Sequence, residues 1–413
     1  MSAAASSEAA LERPFPYVAL VLLVCCQVSL QSCLTGMRMA APLQVLAQDY
    51  GPGLVGLMLA MFAVAPIFFA IHAGRMADRH GYHRPACIAA LLCCSGAALA
   101  SLNQSLPVIC LGAALCGAGS SCGLIALQRA AGRLARSTSE RMKVFGWVAV
   151  APAVASLVGP LGAGLIIDRH GFASAFAVLA ALPLATLLLT QWVPTIDSGE
   201  VSSASGRPRP AWDLLRDRDF RRLLFINWLV SASWDVHSFA VPILGHARGL
   251  SASAIGAVLG SYAVTSTLVR LALIPWLAGR FSQRRIIVAM LILTALLYAA
   301  YPLFGSAWSM GLGTAVLGIA LDAIQPALMT QIHQITPSHR LGEGLALRSM
   351  CIHASATTMP LLFGVVGVAV GASALFWLMG GVLLGGAWQA RRVVNPDGLD
   401  NDTNERRKRS CND

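Results

Sequence analysis

The chain has 413 residues, 56% of them hydrophobic and 12% charged, and a formal net charge of +11; soluble domains carry about a quarter charged residues. So few charges cannot clothe a water-soluble body of this length, which excludes an ordinary cytosolic enzyme, a secreted disulfide scaffold and a disordered chain. The basic excess falls in short clusters between long apolar runs rather than on one folded face, so no nucleic-acid partner is expected and a membrane-embedded protein remains.

Residues 1–15 carry acids and no apolar core of their own, which predicts a cytoplasmic segment and no cleavable signal peptide. The apolar runs that follow are continuous rather than alternating. A hydrocarbon core about 30 Å thick needs roughly 20 helical residues, and continuous runs of that length are helices. Twelve are expected, over 16–40, 52–73, 85–103, 106–129, 144–167, 172–192, 222–245, 252–277, 286–305, 308–333, 344–369 and 372–391. Between the sixth and seventh, the polar stretch from Asp197 to Asp219 holds Ser202, Ser203, Ser205, Gly206 and the run Arg207-Pro208-Arg209-Pro210, a linker composition. The expected fold is therefore all-α and integral to the membrane, with six-helix bundles over 16–192 and 222–391, a cytoplasmic linker over 193–221 and a basic cytoplasmic tail over 392–413.

Ten of the eleven cysteines lie inside apolar runs, without the spacing of a metal site or the loop placement of a disulfide framework; they read as small buried hydrophobes. No metal or other cofactor is expected. With the N-terminus placed in the cytoplasm, 26 of the 30 Lys and Arg fall on the cytoplasmic side, which sets the orientation: a multi-pass protein of the plasma (inner) membrane with both termini cytoplasmic.

The halves are copies. An offset of 200 residues aligns Pro42 with Pro242, Gly56 with Gly256, Pro160 with Pro360, Gly164 with Gly364, Gly171 with Gly371 and Phe176 with Phe376. An offset of 201 pairs Arg79 with Arg280 and Arg84 with Arg285. Two parallel six-helix repeats place a substrate site between them near the bilayer midplane, with access alternating by rocking.

The hairpin after helix 2 reads Gly74-Arg75-Met76-Ala77-Asp78-Arg79-His80-Gly81-Tyr82-His83-Arg84. It resembles the loop between helices 2 and 3 of the major facilitator superfamily, with His83 where a second basic residue is usual. The resemblance implies that Gly74, Asp78, Arg79, Gly81 and Arg84 form a gating loop that latches the halves in one conformation. Helix 5 carries Gly146, Ala155 and Gly159-Pro160-Leu161-Gly162-Ala163-Gly164. These residues resemble the motif that proton-coupled exporters and antiporters of that family carry there, with Ala at two positions where Gly is usual. Gly146, Gly159, Pro160 and Gly164 would then let helices approach closely and bend helix 5.

Of the nineteen acids, only Asp235 and Asp322 lie deep inside expected helices, 7 and 10. A carboxylate in hydrocarbon costs several kcal/mol unless paired, protonated or wet, so both are functional candidates. In the family that the chain resembles, helices 1, 4, 7 and 10 line the central cavity, which makes Asp235 and Asp322 proton-coupling candidates, joined by His237 on helix 7. Arg270 on helix 8 is within reach of the depth of Asp235 and is its expected partner. Gln27, Gln31, Thr35 and Arg38 form one stripe of helix 1, and Asn227, Ser231, Asp235 and Ser238 are their counterparts on helix 7. With Trp234, Gln325 and Arg270 they outline a cavity for an amphipathic organic molecule.

The sequence thus reads as a secondary transporter working by alternating access on a small organic substrate and protons, within a lipid bilayer and as a monomer. Export of a drug, metabolite or siderophore-like compound is the first expectation. Import of an organic acid or sugar, with Arg38 and Arg270 as clamps, is the second; a non-transporting sensor of the same fold is the third. No nucleophile and base pair or phosphate-cradling loop suggests an enzyme.

Overall fold

The structure, a computed structural model, describes residues 17–134, 138–194, 211–274, 281–337 and 340–392. Among these residues twelve helical segments follow one another and no strand occurs. The first four are α1 (Tyr17–Ala47), α2 (Pro52–His80), α3 (His83–Leu102) and α4 (Leu106–Leu134). α5 begins with Thr138–Val148 and continues into Val150–Thr190, a stretch that reverses at Gly171 to give α6. The second half repeats the order. α7 is Arg218–Ala247; α8 is Ala252–Leu268, extended by the π-helical turn Val269–Leu273. α9 is Gln283–Ala300 and α10 is Ala307–Ile335, and Leu341–Ala390 reverses at Gly371 into α11 and α12. Gly171 and Gly371 have φ of 78° and 81°, a region that only glycine enters without strain, so each turns the chain with one residue.

Among the described residues, eight stretches are long and apolar enough to cross a membrane, and one of them, Val144–Thr190, contains the Gly171 reversal. Pro52–Pro66 and Ala252–Leu268 are shorter apolar helices. α7 has 30 residues, and Asn227, Ser231, Asp235 and His237 dilute its apolar character. Several helices run past their expected ends. α1 continues through Pro42 to Ala47. α7 starts at Arg218 because Asp217 caps it, accepting from the amides of Asp219 and Phe220 at 2.7 and 3.0 Å. The expected linker contributes the 3₁₀ turn Ala211–Arg216, while 195–210, the first 16 residues and the tail from 393 lie outside the described residues.

Within the first bundle, α1 packs along α5 and α6. Thr35 donates to the Ala155 carbonyl at 2.8 Å, and Ser29 bonds Thr186 across 2.7 Å. In the second, Tyr298 and Tyr301 are fully buried against Phe376, and the Tyr298 hydroxyl donates to the Ser233 carbonyl at 2.5 Å.

The bundles meet along two seams related by the internal repeat. A methyl group at Gly56 of α2 would strike the Pro360 carbonyl and Gly364 of α11, and one at Gly256 of α8 would strike the Pro160 carbonyl and Leu161 of α5. The residues that the 200-residue offset aligns therefore hold equivalent places in the two seams, Gly56 against Pro360 and Gly256 against Pro160. These contacts close the end of the molecule that holds Gly171 and Gly371. Toward the other end α5 and α8 part, leaving Trp147, Val150, Val154, Val264 and Leu268 exposed. Two further residues strengthen the closed end, each with two hydrogen bonds. Asp168, at the end of α5, accepts the Ala252 and Ser253 amides at 2.9 Å each, so one bundle caps a helix of the other; Arg248 donates to the carbonyls of Pro302, at 2.6 Å, and Phe304.

The Asp168 carboxylate also complements the positive end of the α8 dipole. Asp168→Ala is expected to cost about 1 kcal/mol at this exposed site, and so to speed hydrogen exchange in the first turn of α8 roughly fivefold. Exchange unchanged by the substitution, read by mass spectrometry, would show that the seam does not depend on this cap.

Candidate functional site

Between the closed seams and the parted end, a cavity of about 150 Å³ separates α1 and α5 from α7 and α8. Gln31, Thr35 and Arg38 reach it from α1 at a spacing of four and three residues, which puts them on one helical face. Ser156 and Pro160 line it from α5, and Trp234 and Ser238 from α7. Gln31 is oriented by Ser120 of α4, whose hydroxyl donates to its side-chain oxygen at 2.8 Å. Trp234 lies against Tyr262 of α8 with ring centroids 4.2 Å apart.

Arg38 stands out in this cavity. Among the described residues no hydrogen bond or ion pair within 4 Å engages its guanidinium, and Asp235 of α7 is the carboxylate whose charge it feels. Its five donors are therefore available to whatever occupies the cavity. Asp235 is 5% exposed and accepts from Ser355 of α11 at 2.7 Å. Asp322 of α10 is 6% exposed; one of its oxygens lies 3.5 Å from Arg270, and the other is buried without a partner. An orphaned buried acceptor costs roughly 1–3 kcal/mol, and a proton or ligand donor relieves that cost.

The expected pairing of Arg270 with Asp235 is not what forms: Arg270 pairs with Asp322. The reason is the helix arrangement. α8 packs along α10, whereas Asp235 points from α7 toward Ser355 on α11 and, across the gap, toward Arg38. His237, expected beside the acids, is fully buried inside the second bundle, edge-on to Tyr301 and 3.4 Å from the Thr314 hydroxyl. It faces α10 rather than the cavity.

The remaining expected residues divide. Gln27 is buried beside Gly123 of α4 with its amide nitrogen unpartnered, and Asn227 is buried with both amide atoms unpartnered; neither lines the cavity. The Ser231 hydroxyl turns back to the Asn227 carbonyl. Gln325 accepts from Arg348 of α11 at 2.5 Å. In the helix 5 motif, Gly159 lets α1 approach at Ser32 and Thr35, Pro160 and Gly164 contact α8, and Gly146 lies at the parted end. Of the gating loop, Gly74, Asp78 and Arg79 fall within α2, and their side chains lie outside those described. Gly81 ends that helix with φ 66°, and Arg84 is exposed. The sequence reading missed Ser355, Tyr262, Ser156 and Arg348; serines and a tyrosine in apolar helices carry no signal of their own, and Arg348 reads as one more basic residue near a helix end.

Arg270→Gln alone leaves Asp322 as an unpaired buried charge, whereas Arg270→Gln/Asp322→Asn removes both charges. Thermal unfolding in detergent is expected to rank the single variant below the double one, with a coupling energy of about 1 kcal/mol or more. Additive effects would mean that the pair does not interact.

The comparisons with known proteins agree with this geometry. The family model described as Major Facilitator Superfamily matches residues 23–222 and again 223–410. Multidrug resistance protein 2 of Bacillus subtilis (strain 168) is 23% identical over 292 residues, covering 67% of this chain and 71% of that protein. The class B tetracycline resistance protein of Escherichia coli is 30% identical over 140 residues, a third of each chain. Among solved structures, a POT family transporter in complex with a thioalcohol-conjugated peptide superposes with a TM-score of 0.74 at 14% identity, covering 89% of this chain and 94% of that one.

Proposed function

Because the chain belongs to the major facilitator superfamily and is a transporter, we propose that it exports a small organic molecule in exchange for protons by alternating access. The observation that carries this reading is the pair of buried carboxylates: Asp235, whose charge acts on Arg38 in the cavity between the bundles, and Asp322, which pairs with Arg270. A carboxyl there takes a proton from one side and gives it up on the other as the bundles rock. Export is favoured by the helix 5 motif and by the named roles of the resistance proteins it is similar to. The molecule works as a monomer in the plasma (inner) membrane. Its parted end, which is also the end that holds Tyr17 and Arg392, faces the cytoplasm, where the basic residues gather. Substrate enters there, and the seams at Gly56 and Gly256 must open to release it. Rocking about these seams moves α1 relative to α7, so the attraction between Arg38 and Asp235 changes with each cycle. The Gly74–Arg84 hairpin is the latch of the opposite state.

Import of an organic acid is the second reading, and one observation favours it: Arg38 offers a guanidinium without an acceptor, in a shape that matches a carboxylate.

Proteoliposomes with an internal pH dye and an imposed proton gradient test both. Addition of substrate to the wild type is expected to drive proton movement opposite to the substrate, and Asp235→Asn/Asp322→Asn is expected to lose this uphill coupling while keeping counterflow exchange. Proton movement in the same direction as the substrate would decide for import. Full coupling in the double variant would remove both acids from the mechanism.

A further inference from the structure

At the parted end, α5 and α8 enclose a second cavity of about 400 Å³, walled by Val150, Val154 and Leu157 on one side and Ala263, Val264 and Leu268 on the other. Its lining is apolar apart from Thr267 and Arg270. Val150, Val154, Val264 and Leu268 are all exposed, so the crevice opens sideways as well as inward. Arg270 lies eighteen residues along α8, roughly 27 Å from its start. In a hydrocarbon core about 30 Å thick this depth approaches the far headgroup plane. The π-helical turn Val269–Leu273 contains Arg270 and re-aims it relative to a regular helix; such turns often mark functional sites. The side chain is 48% exposed, and among the described residues its one hydrogen-bonded or ion-paired partner is Asp322 at 3.5 Å, which leaves most of its donors free.

An apolar slot of about 400 Å³ between two helices, with a guanidinium at headgroup depth, fits one kind of occupant. We propose that an anionic phospholipid of the leaflet at the parted end seats one acyl chain between α5 and α8 and its phosphate on Arg270. The choice of an anionic headgroup follows from charge. A zwitterionic headgroup brings its own cation beside Arg270, while a phosphatidylglycerol phosphate meets the planar fork bidentately without one. The chain acts as a wedge. It fits only while α5 and α8 are apart, so the lipid draws the population toward that state by its differential affinity. It also competes with Asp322 for Arg270 and thereby links the lipid to a buried carboxylate. The inference rests on the membrane placement of the helices and is independent of substrate, direction and proton coupling.

Native mass spectrometry of the full-length protein, released from nanodiscs of phosphatidylglycerol and phosphatidylcholine in equal amounts, tests it. The wild type is expected to retain phosphatidylglycerol roughly tenfold over phosphatidylcholine, a difference of about 1.4 kcal/mol. Arg270→Gln/Asp322→Asn, which leaves no unpaired charge, should lose that preference, and Arg270→Lys should keep part of it. Val264→Trp fills the slot and should lower retention of both lipids. An undiminished preference in the double variant, or undiminished retention in Val264→Trp, places the lipid elsewhere and overturns the proposal. Because retention is read without any transport, failure here leaves the transport reading untouched, and failure of transport leaves this result standing.

Discussion

The close approach of backbones at the two seams is the constraint on which the rest of the molecule depends. At Gly56 and Gly256 one bundle touches the carbonyl of the partner's proline, and no side chain fits between them. Helices that meet on bare backbone gain contact only at a narrow range of separations, so the seam is either closed or parted. Everything toward the other end follows from that geometry. With the seams shut at one end, rigid bundles must diverge at the other, and both cavities are consequences of the divergence. The repeat explains why there are two such seams: each bundle offers one glycine helix and one proline helix, and the pseudo-twofold relation puts each against its opposite.

The buried charges divide between the bundles. Asp235 and Arg38 belong to different bundles, so the proposed rocking would change their separation. Asp322 and Arg270 belong to the same bundle and stay together. The first pair is suited to report the state of the transporter, and the second to hold the buried charge of Asp322 at tolerable cost. Ser355 donates to Asp235 through a 2.7 Å bond that also lies within the second bundle, so Asp235 keeps one fixed ligand on its own side of the gap.

Much of this was legible in the sequence. Long apolar runs, the clustering of Lys and Arg and the 200-residue repeat give the helices, their order and the two bundles, because bilayer thickness and helix rise leave few alternatives. The polar stripe of helix 1 was equally legible, and Gln31, Thr35 and Arg38 line the central cavity together. The partners of the buried groups were not. Depth along a helix is readable from residue number, whereas direction around the axis depends on which neighbour the helix packs against. For that reason Arg270 was matched to Asp235 by depth and proved to pair with Asp322, and His237, two residues from Asp235, proved to point into the bundle. Helix ends were short by a few residues where caps such as Asp217 lie outside the apolar run.

The single-residue reversals at Gly171 and Gly371 have a practical consequence. With those two turns reduced to one residue each, the closed face exposes only the connections at 48–51, 103–105, 248–251 and 304–306, each three or four residues long. An antibody fragment raised against that face finds no projecting peptide to grip. It must instead recognise a flat epitope assembled from both bundles, and an epitope of that kind exists only while the seams are shut, so a tight binder would serve as a conformational trap.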